Sequence, residues 1–303
     1  MTDRRYGEPA ALRQALTDQL RRLALARPGA QLADLQRQFA YDRLLARVFV
    51  AEPEAWVVKG ATALLARMHG SARHTVDIDL YRRVAGLAEA ELALRAAASL
   101  DLGDFFRFEL SPGRQVAQGR ATLRIPVIAY LGATEFARFH VDLVTDLLMT
   151  GEPDEVAALV PFEIPGIDPV RYRAYPLADH VADKVCAFLE VHPRALGPAQ
   201  PSTCYRDLAD LAFIAHTQTI AADDLGRALA SEVRRRGLQI PPELPAPEAA
   251  GWRAGYARVA RDVPGLPERD LEAALATVRR FLDRVLDGTA AGTWDPHALT
   301  WSG

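Results

Sequence analysis

The sequence predicts an α+β fold: a mixed sheet with helices, preceded by N-terminal helices and followed by a helical C-terminal region. Three observations predict it. Leucines recur at helical spacing before residue 50, runs of alternating apolar residues fall between residues 56 and 144, and beyond residue 175 the apolar residues return to helical spacing. The expected division is N-terminal helices over 1–50 packing on the core, a sheet domain over 51–165 and a helical domain over 170–303.

Composition narrows the class. A chain of 303 residues with 50% hydrophobic and 25% charged content is long enough to bury a real core, in two domains or one large one. No run of about 18 apolar residues appears, so no membrane span is expected. The N-terminus lacks the apolar core of a signal peptide, and the two cysteines, Cys186 and Cys204, lack metal-ligand spacing, which together suit a cytoplasmic protein. With a formal net charge of -3, any nucleic acid must be met by a local patch. Of 36 basic residues only Lys59 and Lys184 are lysine. A chain so biased towards arginine keeps lysine by chance, or where a compact point charge serves and a planar guanidinium does not.

Residues 8–50 read as two helices broken at Pro28-Gly29, with Leu12, Leu16, Leu20 and Leu23 on one stripe. Arg13, Arg21 and Arg22 lie off that stripe, where they face water or touch phosphates.

The central stretch runs from Trp56 to Leu80. An apolar strand (Trp56-Val-Val-Lys59) enters a turn of Gly60, Ala61 and Thr62, and a short helix follows from Ala63 to Met68. A second strand then carries two carboxylates one residue apart. Strand side chains alternate, so Asp77 and Asp79 project to one side and Val76, Ile78 and Leu80 to the other. Two acids held that close repel each other unless a cation sits between them, and Mg²⁺ arriving with a nucleotide's phosphates is the usual solution. Two acids merely facing water are the bland alternative.

Glu89–Leu100 reads as a helix, and Phe105–Leu110 and Ala121–Tyr130 as strands. Pro126 places the latter at an edge or a bulge. In the strand Phe136–Val144, Phe139, Val141 and Leu143 face the core while His140 and Asp142 share the opposite face. Asp142 is out of place there on propensity and becomes a candidate third metal carboxylate.

A Pro-rich connection, 161–175, marks the domain boundary. Leu177–Val191 forms a helix whose stripe of Leu177, Val181, Val185 and Phe188 contains Lys184. An inward lysine must snorkel, pair with an acid or meet a ligand. The next helix, Tyr205–His216, has Ser202 or Thr203 as its cap and places Asp207 and Asp210 beside Leu211 and Ile214. Helices over 221–236 and 268–287 complete a bundle, and the tail 292–303 carries no readable signal. Walker, dinucleotide-binding and serine-hydrolase motifs are absent from the sequence.

The ordered set Lys59-Gly-Ala-Thr-Ala-Leu64, Arg73-x-Thr75-x-Asp77-Ile-Asp79-Leu, Lys184 and Arg206-Asp207-Leu-x-Asp210-Leu resembles the AbiEii/AbiGii nucleotidyltransferase toxins, including the MenT type, of type IV abortive-infection systems. That family belongs to the polymerase β-type nucleotidyltransferase superfamily, and the likeness spans residues 55–216. Ala61 departs from the second Gly or the Ser usual in the family, and the gap from Gly60 to Asp77 is longer than usual.

The resemblance implies a minimal polymerase β-like domain over 51–165 and transfer of NMP from an NTP to an acceptor, a tRNA 3′ end in characterised relatives. It implies Mg²⁺, or Mn²⁺ in its place, on Asp77, Asp79 and Asp142, with Lys184 neutralising phosphate charge and Asp207 orienting Lys184 or the nucleotide. Gly60, Ala61, Thr62, Arg73, Thr75, Arg206 and Asp210 correspond to substrate-binding positions. A separately encoded antitoxin is the implied partner, with no membrane. Two alternatives stay open: a small-molecule nucleotidyltransferase of the antibiotic-modifying kind, and a decayed nucleotide- or partner-binding module. A tRNA enzyme should show a basic surface beside the site, an antibiotic enzyme an acidic pocket.

Overall fold

The computed structural model describes residues 6–27, 29–68, 75–83, 86–118, 120–145, 147–192, 200–201, 204–247 and 251–303, apart from the side chains of 117–121, 191–192 and 200–201. Its contacts form two compact units, Met1–Leu147 with Pro153–Tyr175, and Leu148–Glu152 with Pro176–Gly303.

The first unit opens with α1 (Pro9–Ala26) and α2 (Leu32–Ala51). Leu12, Leu16 and Leu20 of α1 are buried as their spacing predicts, and Gly29 makes the break in the left-handed region; Pro28 lies outside the described residues. Arg13 serves the fold: its Nη2 donates to the carbonyls of Leu131 (3.1 Å) and Thr134 (2.9 Å). The second half of α2 is buried on nearly every side, and its polar residues are there because they are paired. Arg43 and Arg47 both donate to Asp104, at 2.7 Å each. Asp42 accepts from the amides of Leu159 (2.9 Å) and Val160 (3.1 Å) and from the Tyr172 hydroxyl.

The remaining elements of this unit are β1 (Trp56–Lys59), α3 (Gly60–Arg67), β2 (Asp77–Arg82), α4 (Leu87–Ala98), β3 (Phe106–Leu110), β4 (Arg114–Gln118), β5 (Arg120–Leu131), β6 (Thr134–Val144), β7 (Asp154–Ala157) and β8 (Arg171–Ala174). The strands form one mixed sheet in the order β3-β5-β6-β2-β1-β8-β7, with β4 also on β5. β2 runs parallel to β6 and β1 to β8; the other pairs are antiparallel. One face buries Ile78, Leu80, Ile125, Val127, Phe139, Val141 and Leu143, each side chain stabilising the fold by about 1.5–3 kcal/mol. The opposite face carries Asp77, Asp79, Asp142 and Arg124, with Val57, Tyr81 and Val144 buried in the neighbouring row.

Three features differ from the sequence reading. β8 lies inside the Pro-rich 161–175 segment, and β4, β7 and β8 were not anticipated, because strands of four or five residues carry little periodicity. Val76 precedes β2 and is exposed rather than packed with Ile78 and Leu80. Pro126 sits in an inner strand rather than at an edge, although that strand does carry an irregularity, a register shift between Ala129 and Tyr130. The Pro126 carbonyl accepts from Ser111 N (2.9 Å) between the end of β3 and the start of β4. The N and C=O of a strand residue point the same way, so the missing N–H faces that interruption and breaks no ladder bond.

The second unit contains α5 (Leu177–Leu189), β9 (Val191–His192), β10 (Gln200–Pro201), α6 (Tyr205–Thr217), β11 (Ile220–Ala221), α7 (Ala222–Arg236), α8 (Trp252–Arg261), α9 (Leu271–Leu286), β12 (Thr293–Asp295) and β13 (Thr300–Trp301). Cys204 holds the N-cap place of α6; Ser202 and Thr203 lie outside the described residues. α9 begins later than the spacing predicts, because the Asp270 side chain caps it by accepting from Ala273 N (2.8 Å), leaving Glu268 before the helix. The tail, unreadable in sequence, pairs β12 with β11 and β13 and buries both of its tryptophans. Trp294 Nε1 donates to the Ala215 carbonyl (2.8 Å) and Trp301 Nε1 to that of Phe281 (3.1 Å). Among the described residues, no helix is long and apolar enough to cross a membrane.

Candidate active site

The turn between β1 and α3 is built around the absence of a side chain. Gly60 has φ +60°, in the left-handed region, and a Cβ added there would overlap Oδ2 of Asp79. The turn backbone and the second carboxylate of β2 therefore lie against each other. Ala61 and Thr62, the next residues of α3, are buried. The Thr62 hydroxyl donates to the Asp77 carbonyl (2.9 Å), so it locks α3 onto β2 and leaves the α3 backbone amides as the turn's donors. The Thr75 hydroxyl donates to Asp77 Oδ1 at 2.6 Å and holds that carboxylate in place. Arg73 lies outside the described residues.

Register then brings distant residues into one row. Lys59 is the cross-strand partner of Asp79, Asp79 of Asp142, and Asp142 of Arg124. Asp77, two residues before Asp79 and on the same face, is opposite His140, which is exposed. The row places like charges, Asp79 and Asp142, directly opposite each other, and sets a cation at each end. At one end the contact is a bidentate fork: Arg124 Nε donates to Asp142 Oδ1 (2.8 Å) and Nη2 to Oδ2 (2.6 Å). The Asp142 hydrogen bond is the leading cause that holds the Arg124 guanidinium above its usual range, and Asp77 and Asp79 add to it at longer range. Asp142 is thus paired with Arg124 and stands in no three-carboxylate cluster. Among the described residues, no group of three His, Cys, Asp or Glu side chains is set to hold a metal ion. Asp77 and Asp79 offer an all-oxygen donor pair, which is the chemistry a hard divalent cation takes.

In the second unit, Lys184 lies on the apolar stripe of α5 with Val181, Val185 and Phe188, and its side chain is only 8% exposed. Its Nζ donates to Asp207 Oδ1 (3.0 Å) and to Asp210 Oδ2 (2.6 Å), both on α6. Asp210 is buried, Asp207 half-buried and Arg206 exposed. One turn of α6 supplies both acids on the side that faces the α5 stripe.

A family model described as "Nucleotidyl transferase AbiEii toxin, Type IV TA system" matches residues 43–277. The chain belongs to the AbiEii family. It is accordingly a nucleotidyltransferase. The matched span takes in every residue of the Gly turn, the Asp77/Asp79 strand, Asp142, Lys184 and the α6 acids. No curated protein matches the chain. Among solved structures, the chain is similar to ANT(2")-Ia in complex with adenylyl-2"-tobramycin, with 15% identity and a TM-score of 0.33 over 65% of this chain and 98% of that one.

The AbiEii chain also places at the row residues that sequence reasoning passed over. Arg124 carried no signal, because its partner is set by the β5–β6 register and not by any spacing. The sequence shows His140 only as an outward residue, and its position opposite Asp77 is again a matter of register.

Proposed function

We propose that this nucleotidyltransferase transfers NMP from an NTP to the 3′ end of a tRNA, with Mg²⁺ or Mn²⁺, and acts as the toxin of a pair whose antitoxin is separately encoded. The observation that carries the reading is the approach of Gly60 to Asp79, which sets the N-terminus of α3 beside the β2 carboxylates. A helix N-terminus offers unpaired amides to phosphate oxygens, and the neighbouring carboxylates suit the cation that accompanies a triphosphate.

In this reading Asp77 and Asp79 would hold the cation. When bound, it supplies Lewis-acid polarisation of the phosphoryl oxygens. The backbone of Gly60, Ala61 and Thr62 orients the phosphates, and Thr75 keeps Asp77 in the position that meets them. Asp142, opposite Asp79, would join Asp77 and Asp79 as the third carboxylate, on the acceptor side of the reaction. In the second unit, Lys184 is assigned to neutralise phosphate charge, with Asp207 orienting it, and Arg73, Arg206 and Asp210 are assigned to substrate; these assignments rest on the ordered motif.

Support for a polyanionic acceptor comes from the sheet face that carries the acids. Exposed Arg114 and Arg124 lie beside the acids, with Arg138, His140 and Tyr130 further along the same face. Arg138 is offset by Glu135 and Arg124 by Asp142, which leaves Arg114 of β4 as the positive charge beside the acids until Arg124 is released. The deciding experiment incubates purified protein with Mg²⁺, each labelled NTP in turn and total RNA. Label in tRNA that is released by 3′ exonuclease supports the reading; label only in small molecules defeats it. Expression of the chain alone is expected to halt bacterial growth, and growth unaffected by soluble, active protein would defeat the toxin assignment.

A further inference from the structure

We propose that Arg124 is the resting counter-cation of Asp142, withholding this carboxylate from the metal site until a triphosphate takes the guanidinium. The inference rests on the reading of Asp77 and Asp79 as the metal pair.

Both oxygens of Asp142 are occupied by the Arg124 fork, and the pair is lopsided in exposure: the Asp142 side chain is 10% exposed and that of Arg124 44%. The guanidinium is therefore a cover over the carboxylate and is itself open to solutes. Directly opposite Arg124, on the side away from Asp142, stands exposed Arg114. Two like charges facing each other across a strand pair disfavour the free state, and an anion between them relieves the repulsion. A triphosphate matches the bidentate fork as well as a carboxylate does. On the other side, Asp142 faces Asp79, so once uncovered it stands beside the carboxylate already assigned to the cation. The exchange is a swap of ion pairs: Arg124 passes from carboxylate to phosphate, and Asp142 passes from guanidinium to cation. No bond is made or broken. Nucleotide arrival thereby completes the metal site, and the free protein is left with the weaker, two-carboxylate form.

The test is Mn²⁺ titration of the full-length protein without nucleotide, read by electron paramagnetic resonance of the free ion, on wild type, Arg124→Gln, Asp142→Asn and the double variant. Arg124→Gln is expected to tighten Mn²⁺ binding about tenfold, within the usual coupling range of contacting charges. Asp142→Asn alone should change it less than about twofold, and the double variant should lose the gain. Arg114→Gln removes a neighbouring charge of the same sign and should give much less than Arg124→Gln. Equal gains from both arginines, or a gain that survives Asp142→Asn, would reduce the effect to general electrostatics and overturn the proposal. Arg124→Lys keeps the charge without the fork, and an intermediate gain supports the proposal should Arg124→Gln fold poorly. Inorganic triphosphate titrated in the presence of chelator should bind more weakly to Arg124→Gln and more tightly to Asp142→Asn; unchanged binding in both overturns the exchange. Asp77→Asn separates the two levels. If it leaves Mn²⁺ binding intact, the metal reading itself fails; if it abolishes binding while Arg124→Gln gives no gain, only the present inference fails.

Discussion

Gly60 and Asp79 approach so closely that only a hydrogen fits on the glycine Cα, and Gly60 also holds a left-handed φ of +60°. The two motifs that stand 19 positions apart by their numbers (79 minus 60) are one physical object. Gly60→Ala should therefore fail twice. The left-handed backbone costs about 1–2 kcal/mol, and the methyl group must push the Asp79 carboxylate aside. Thermal melting should show a modest loss, and labelled-NTP turnover a steep one. Near-normal turnover in a folded Gly60→Ala protein would disprove the role given to this approach.

Asp77→Ala and Asp79→Ala should each abolish transfer and keep the fold. Neither side chain faces the apolar side of the sheet, where Ile78 and Leu80 are buried. Asp77→Ala also removes the carboxylate acceptor of the Thr75 hydroxyl, worth about 1 kcal/mol. Circular dichroism melts and turnover on the same preparations check both expectations, and retained turnover in either variant removes that residue from the metal pair.

Lys184→Met tests a point on which sequence and structure differ. On the helix wheel of α5, a hydrophobic residue at 184 would maintain stability. The structure places the Lys184 ammonium on buried Asp210 and on Asp207, so its loss deprives a buried carboxylate of its cation. The expected cost is about 3–5 kcal/mol. Lys184→Met/Asp210→Leu should recover most of that stability without recovering transfer. A double variant that transfers nucleotide would show Lys184 to be structural only.

Asp42 should give the first unit a pH dependence. Burial pushes its carboxyl up to about 6, against the lowering effect of the Tyr172 hydroxyl and the Leu159 and Val160 amides. A carboxyl raised in the folded state stabilises the fold below its unfolded pKa, near 4, and that contribution is lost as pH rises through about 6. The difference amounts to about 3 kcal/mol. Melting temperatures of wild type and Asp42→Asn, taken from pH 4 to 7, should show wild type losing ground to the variant across this window. Parallel curves would rule the contribution out.

Local pattern was enough for much of this protein. Period-two alternation placed Asp77 with Asp79, and Asp142 opposite Phe139, Val141 and Leu143, because a strand's faces follow from its own residues. Helical spacing found Leu12, Leu16 and Leu20 and the α5 stripe around Lys184, and the ordered motifs pointed to the family that the family model shows. Partners across the fold were not legible. That Arg124 covers Asp142, that Gly60 must yield to Asp79 and that Pro126 breaks no ladder all depend on register between strands remote in sequence. The four-residue β8 and the tail strands around Trp294 and Trp301 are too short to show a period, and only burial against the rest of each unit makes them strands. Lys184 shows the same division: its place on the stripe is local, but its bond to Asp210, 26 residues away, is tertiary.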